Sequence, residues 1–308
     1  MSIDRIGTAA NAQLMLSQIQ KSEVTLNKDN EQVVTGKVAD TYSGYGDKVA
    51  VMEAARSASA HADANVAAAQ QASSRLDLQD TQLTQLGQLA DQVRQALTKA
   101  SADQDATSLM SQMQGFFSQA TDILNAKDAN GYIFAGDNNQ VPPVSISNLS
   151  DLAALGSPSA AFNNGSLKAT MRVGDNQTVQ VGVLASDAGT QLFSLFQQIA
   201  QFDAGNTFDT KTNAAQQSFL ESTVQTAANV SDGVNQQTAT NGINYQMVQN
   251  TVTRLQATSG VYKGFVSNIE DVDITTALSK LNQDQISLQA SFQLTSQLNK
   301  MSLLDFMQ

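Results

Sequence analysis

Apolar residues recur at alternating three- and four-residue steps in two long stretches of the chain. The first stretch, from about 48 to 128, is rich in Ala, Gln, Ser and Leu, and the second runs from about 212 to 308. Neither contains a proline. This spacing places apolar side chains on one face of an α-helix and is typical of a coiled-coil seam. The seam positions are Leu76, Leu83, Leu86, Ala90, Val93, Leu97 and Ala100 in the first stretch, and Tyr245, Val248, Val252, Leu255, Ser259, Tyr262, Val266 and Ile269 in the second.

Weaker apolar stripes lie at both ends of the chain. The N-terminal stripe consists of Leu16, Ile19, Leu26 and Val33, and Glu23 and Asn30 interrupt it. The C-terminal stripe consists of Ile274, Leu278, Leu281, Leu288, Phe292 and Leu298, with Gln285 and Thr295 as polar seam positions that would set the register. A terminal helix with few aromatic anchors cannot bury such a stripe alone. We therefore expect the two ends to pack against each other and against neighbouring copies.

These stripes predict an assembly interface, because head-to-tail contacts that do not close on themselves produce helical polymers. The alternative from heptads alone is an extended helical bundle that stays monomeric. The predicted interface residues are Ile3, Ile6, Leu16, Ile19, Leu26, Ile274, Leu278, Leu281, Leu288, Phe292, Leu298, Leu304 and Phe306.

The centre of the chain, residues 137–210, has a different pattern. Residues 144–146 and 178–183 alternate at period two, and 163–165 and 174–176 carry turn signals, which together predict short strands. Residues 188–203 repeat apolar side chains at helical spacing, and 204–210 resemble an exit loop. The pattern as a whole predicts a mainly α fold: a long antiparallel helical coiled-coil rod with a small central α/β insert.

Composition and charge exclude several classes of partner and site. The chain has no cysteine and no tryptophan, and its formal net charge is -11. A nucleic-acid interface needs clustered Lys and Arg, so no nucleic-acid partner is expected. No stretch approaches the roughly 20 apolar residues of a membrane span, so no membrane insertion is expected. The N-terminus lacks the pattern of a cleavable signal peptide, which fits either a cytoplasmic protein or export by a route without cleavage.

The sequence shows no arrangement of residues that is typical of a catalytic or metal-binding site. The single histidine, His61, has no cysteine or second histidine with which to build a metal site or a catalytic triad, and we expect it to face solvent or the edge of a seam. The carboxylates in 103–105 and 270–273 lack calcium-loop spacing and are interpreted as solvated helix ends or loops. The glycines form no phosphate-binding pattern. We predict no catalytic, cofactor-binding or metal-binding residues and no enzyme activity.

Three segments resemble the flagellin family, as does the layout of a helical N-terminus, a variable centre and a helical C-terminus. The run Asn130-Gly-Tyr-Ile-Phe-Ala-Gly136 looks like the signature of its hook–filament junction members, called hook-associated protein 3. Thr35-Gly-Lys37 and the apolar ending 301–307 resemble family segments too, whereas 38–46 departs from the usual polar loop. The signature residues are Asn130, Gly131, Tyr132, Ile133, Phe134, Ala135 and Gly136.

The resemblance implies a structural adaptor between hook and filament in the extracellular bacterial flagellum. It implies a terminal assembly domain (1–40 with 274–308), a long-helix domain (41–136 with 211–273) and an exposed insert (137–210). The implied partners are copies of the chain in a helical tube, a neighbouring hook-associated protein, flagellin, an export chaperone and the type III export apparatus. The alternatives are flagellin itself and, in another class, a secreted surface-binding protein that uses the insert.

Overall fold

The computed structural model describes residues 2–208 and 211–306, and their side chains at 13–208 and 211–297. The chain divides into two compact units. We call Met1–His61 with Thr258–Gln308 the terminal unit, and Ala62–Ala257 the central unit.

Helices dominate the described residues, which confirms the predicted mainly α fold. The helices are α1 Ser2–Thr35, α2 Val49–Asp103, α3 Leu109–Leu124, α4 Leu149–Ala154, α5 Ala185–Gly205, α6 Ala214–Glu270 and α7 Ile274–Phe306. Two short 3₁₀ helices span Tyr42–Lys48 and Pro158–Ala161. The strands are β1 Lys127–Asp128, β2 Gly131–Tyr132, β3 Thr170–Gly174 and β4 Gln177–Gln180.

The long helices α2 and α6 run antiparallel through the central unit. Three hydrogen bonds show the direction, since the residue numbers fall on α6 as they rise on α2: Gln249 to Ser73 (2.7 Å), Ser231 to Asp91 (3.0 Å) and Gln217 to Ser101 (2.8 Å). The predicted seam positions of α2 are all buried, and those of α6 are buried or half-buried. Both heptad seams are therefore confirmed.

The main core of the central unit lies where α3 and α5 join α2 and α6. Phe117 of α3 is fully buried, with its ring centroid 5.1 Å from that of Phe193 and 5.7 Å from that of Phe196 on α5. The helix predicted at 188–203 is confirmed as α5, because its apolar face packs into this core. Aromatic residues are few in the chain, and several of them are concentrated here.

The helical stretch at 48–128 is interrupted between α2 and α3. Gln104 has φ +53°, which a right-handed helix does not permit, and Asp105 accepts hydrogen bonds from the backbone N–H and the hydroxyl of Thr107 (2.9 and 2.7 Å). An acidic side chain that bonds its own backbone two residues on competes with helix formation. The helix-end interpretation of 103–105 is confirmed.

The predicted strands of the insert are partly correct. β3 and β4 form an antiparallel hairpin with Met171 opposite Val179, closed by the predicted turn at 174–176. Its inner face packs Val173 and Val179 against α2 and α6. The strand predicted at 144–146 is wrong, since Val144 makes only an isolated bridge to Phe162. A second, two-residue hairpin pairs β1 with β2.

Candidate assembly surface

The terminal helices α1 and α7 pack against each other in the terminal unit. Their least exposed positions recur at alternating four- and three-residue steps, as in a coiled coil. These positions, the α1–α7 seam, are Met15, Ile19, Ser22, Leu26, Asp29 and Val33 on α1 and Ala277, Leu281, Asp284, Leu288, Ser291 and Thr295 on α7.

The register of this seam on α1 differs from the predicted one. Ile19, Leu26 and Val33 lie in the seam as expected, but Met15 takes the position assigned to Leu16, which is 57% exposed. The polar interruptions are Ser22 and Asp29, whereas Glu23 and Asn30 are exposed. The prediction was wrong by one residue there because apolar side chains lie on two faces of α1, and α7 covers only one of them.

The seam on α7 has one similar correction. Thr295 is half-buried at a seam position, as predicted, but Gln285 is exposed and Asp284 occupies the seam in its place.

The predicted interface residues fall into three groups. Ile19 and Leu281 are buried in the α1–α7 seam, and Leu26 and Leu288 are half-buried there. Leu16, Ile274, Leu278 and Phe292 point outward, with 57%, 46%, 46% and 48% of their surface exposed. The side chains of Ile3, Ile6, Leu298, Leu304 and Phe306 lie outside the described residues.

Other large apolar side chains of α1 and α7 also point outward, although they are not among the predicted interface residues. They are Leu14, Val24 and Val34 on α1 and Ile286 and Leu294 on α7, each more than half exposed. Leu14 and Leu294 also line a groove of about 290 Å³ between the two helices. Leu14 and Leu294 therefore share one exposed apolar surface, and such a surface is typical of an interaction site. No periodic signal marks them, since Leu14, Val24 and Val34 take three different positions relative to the seam heptad of α1.

The turns that connect α1 to α2 and α6 to α7 are joined by a charged cluster, which we call the clasp: Lys37, Arg56 and Glu270. Glu270 has 11% of its side chain exposed and accepts hydrogen bonds from the Lys37 ammonium (2.5 Å) and the Arg56 guanidinium (2.7 Å). Backbone bonds run beside it, from Val38 N–H to the Glu270 carbonyl (2.7 Å) and from Val272 N–H to the Gly36 carbonyl (2.9 Å).

The clasp corrects the interpretation of 270–273 as solvated at one residue, Glu270, whereas Asp271 and Asp273 are exposed. Glu270 is buried because two cations compensate its charge, and their hydrogen bonds, from Lys37 first and Arg56 second, lower the pKa of its carboxyl. The same contact raises the pKa of Lys37. Asp273 lies at the start of α7, where hydrogen bonds from the backbone N–H (3.2 Å) and hydroxyl (3.1 Å) of Thr276, and then from the backbone N–H of Thr275 (2.9 Å), lower its pKa.

The signature segment 130–136 lies inside the central unit and contacts two of its helices. Ile133, Phe134 and Ala135 are buried. The Ile133 carbonyl accepts a hydrogen bond from Gln79 of α2 (2.8 Å), and the Phe134 carbonyl accepts from Ala185 N–H at the start of α5 (2.9 Å). The segment thus ties α2 to α5. The aromatic run is packed, with Phe134 buried and Tyr132 half-buried.

Both glycines of the signature are required by the backbone. Gly131 has φ +121°, and a Cβ there would lie 2.4 Å from the Asn139 carbonyl oxygen. Gly136 has φ +64°, and a Cβ there would lie 2.6 Å from the Leu167 carbonyl oxygen. A side chain at either position would combine backbone strain with a clash.

Neither a metal-binding cluster nor a bilayer-crossing helix occurs among the described residues. His61 is exposed on α2, as expected. Within 13–208 and 211–297, no three histidine or acidic side chains come together as a metal site would require. None of the described helices combines the length and the apolar character that a bilayer crossing requires.

Two family models match the chain. The model of the bacterial flagellin N-terminal helical region matches residues 6–139, and the model of the C-terminal helical region matches 223–307. The first covers α1 through the signature segment, and the second covers most of α6 and α7. The comparison with curated proteins finds no match to this sequence.

Solved structures share the fold. FlgL from Bacillus cereus superposes with a TM-score of 0.53 at 12% identity, covering 70% of this chain and 98% of that one. A structure assigned to a flagellar hook-associated protein from Vibrio parahaemolyticus superposes with a TM-score of 0.61 at 12% identity, covering 72% and 97%. With paired terminal helices, antiparallel long helices and both terminal family models in place, the chain belongs to the flagellin family.

Proposed function

We propose that the chain is a non-enzymatic structural subunit of the bacterial flagellum and acts as the adaptor between hook and filament. The observation that carries this proposal is the number of exposed apolar side chains on α1 and α7 outside the seam. The seam accounts for one face of each helix, yet Leu16 and Phe292 remain about half exposed on other faces. Covering one such side chain contributes on the order of 1 kcal/mol, so several together can drive association.

The proposed partners rest on this surface and on the resemblance to the flagellin family. Neighbouring copies of the chain cover the outward apolar side chains of residues 1–40 and 274–308 in a helical tube. Residues 41–136 with 211–273 form the next layer, and 137–210 form the exposed domain. A hook-associated protein and flagellin adjoin the tube on its two sides. Before assembly, an export chaperone and the type III export apparatus handle the chain on its way to the extracellular flagellum.

Flagellin is the second candidate, because the two family models describe flagellin regions and fit a filament subunit equally well. The two candidates differ in how far assembly proceeds. A filament subunit polymerises indefinitely, whereas an adaptor stops after a short zone and then binds flagellin.

Electron microscopy of the purified chain in ammonium sulfate separates these candidates, since that salt strengthens apolar burial. We expect short or no polymers from the chain alone, and a strain lacking it to keep its hook and shed its filament. Long uniform filaments would instead identify a flagellin.

Two variants test the surface itself. Phe292→Ser should abolish any assembly and fail to restore filaments to the deletion strain. The matched control is Leu167→Ser, which removes a side chain that is 67% exposed in the insert and should behave as the unmodified chain. Equal behaviour of the two variants would refute the proposed surface.

A further inference from the structure

Two acidic residues face each other inside the α1–α7 seam. Asp29 of α1 lies between the seam residues Leu26 and Val33, and Asp284 of α7 lies between Leu281 and Leu288. Among the described side chains they are the charged residues at seam positions. Seam positions normally hold apolar side chains, so two carboxyl groups brought together there need a compensating interaction.

The compensation that the structure shows is incomplete. Asp29 is fully buried, and its Oδ1 accepts a hydrogen bond from the Lys280 ammonium (3.2 Å). Its other oxygen, Oδ2, is buried without a donor among the described residues, and so is Oδ2 of Asp284. Asp284 lies one helical turn after Lys280 on the same face of α7, so the Lys280–Asp29 bond brings Asp284 next to Asp29. Two acceptors thus meet where a donor is required.

We propose that Asp29 and Asp284 hold a single proton between them, and that this proton makes the pairing of α1 and α7 dependent on pH. One proton turns one acceptor into a donor, so a carboxylic acid–carboxylate hydrogen bond satisfies the facing oxygens. It also balances charge: Asp29, Asp284 and Lys280 sum to zero with the proton and to minus one without it.

Few charged groups surround the carboxyl of Asp284. Asp29 from α1 and Lys280 from α7 are the groups that act on Asp284. The neighbouring charged residues Lys28 and Glu31 of α1 lie at exposed positions. The hydrogen bond with Asp29, then burial and the negative charge of Asp29, raise the pKa of Asp284, while Lys280 opposes them.

The direction of the pH effect follows. A carboxyl whose pKa is raised by pairing binds its proton more tightly in the paired state than in the separated one. Its contribution is fully present below the ordinary aspartate value, about 3.9, and is lost as pH rises through the raised value. The α1–α7 pairing therefore loosens with rising pH, and α1 and α7 are then freer to contact other chains.

Hydrogen exchange of the full chain tests this inference, with protection of seam amides near residues 26–33 and 281–288 corrected for intrinsic rates. The opening equilibrium should rise with pH from the ordinary aspartate value, about 3.9, to the raised value and then level off, with a limit of tenfold per pH unit for one proton. Asp284→Asn keeps a donor facing Asp29 at every pH. It should abolish the dependence and hold the seam closed at high pH.

The control is Glu23→Gln, which removes an acidic group at an exposed position of α1 and should keep the dependence of the unmodified chain. Infrared spectra with ¹³C-labelled aspartate carboxyls, recorded as pH rises from the ordinary aspartate value of about 3.9, add a direct readout. The protonated carboxyl band should persist to higher pH in the unmodified chain than in Asp284→Asn. Loss of the band at the same pH in both proteins, or a dependence that Asp284→Asn retains, would overturn the inference.

Discussion

The clasp offers a direct test of what holds the connecting turns of the terminal unit together. The perturbation is Glu270→Gln, which keeps the shape of the side chain and removes its charge. Glu270 has 11% of its side chain exposed, but its partners Lys37 and Arg56 have 49% and 37% exposed. Hydrogen bonds to charged groups are worth about 1.5–3 kcal/mol each when buried, and exposed pairs about 0–1. Discounting for solvent, we expect a loss of about 1–2 kcal/mol in total.

Native-state hydrogen exchange measures this loss where it occurs. The amides of Val38 and Val272 make the two backbone bonds beside the clasp, so their protection reports its opening. A loss of 1–2 kcal/mol raises the opening equilibrium about 5- to 30-fold. Glu53→Gln is the matched control, because Glu53 also pairs with Arg56 (3.1 Å) but has 47% of its side chain exposed. Equal effects of the two substitutions would refute a special role for Glu270.

The same amides should respond to acid. Because the folded-state pKa of Glu270 lies below its ordinary value, its contribution is present above the ordinary glutamate range, about 4.3, and is lost as pH falls through the lowered value. Protection corrected for intrinsic rates should therefore fall in that acid range in the unmodified chain and stay flat in Glu270→Gln. This sign is opposite to that proposed for the Asp29–Asp284 pair.

Two further predictions concern the central unit, and thermal unfolding followed by circular dichroism checks both. Gly136→Ala forces a Cβ against the Leu167 carbonyl at a positive φ, which should lower the free energy of unfolding by about 2 kcal/mol or more and Tm by roughly 5 °C. The control Gly156→Ala places its Cβ in open space and should leave Tm nearly unchanged. Phe117→Ala removes a fully buried ring of the main core and should cost about 3–5 kcal/mol, roughly 10 °C; a shift of only a few degrees would show that the core collapses around the cavity.

The helical elements could be predicted because their signal is local. Heptad spacing in residues 76–100 and 245–269 follows from the helix period alone, and the structure buries or half-buries all of these positions. The turn at 174–176 and the apolar face of 188–203 are local signals of the same kind. Each could be recognised without any knowledge of what the element packs against.

The break between α2 and α3 shows where local signals are weak. It contains no proline or glycine, and it forms because Asp105 bonds its own backbone while Gln104 adopts a positive φ. In a run rich in helix formers, this alternative differs little in energy from a continued helix, so contacts elsewhere decide between them.

For the candidate assembly surface, helix periodicity alone predicts that α1 and α7 are amphipathic and apolar enough to need partners. It leaves open which apolar positions on each helix face the other helix. Leu16 and Met15 differ by one position, as do Gln285 and Asp284, and helix periodicity permits either choice. The packing of α1 against α7 sets the register and brings Asp29 next to Asp284, while the connecting turns bring Lys37 to Glu270. Contacts between residues so distant in the chain leave no periodic pattern in the sequence, so only the folded structure reveals them.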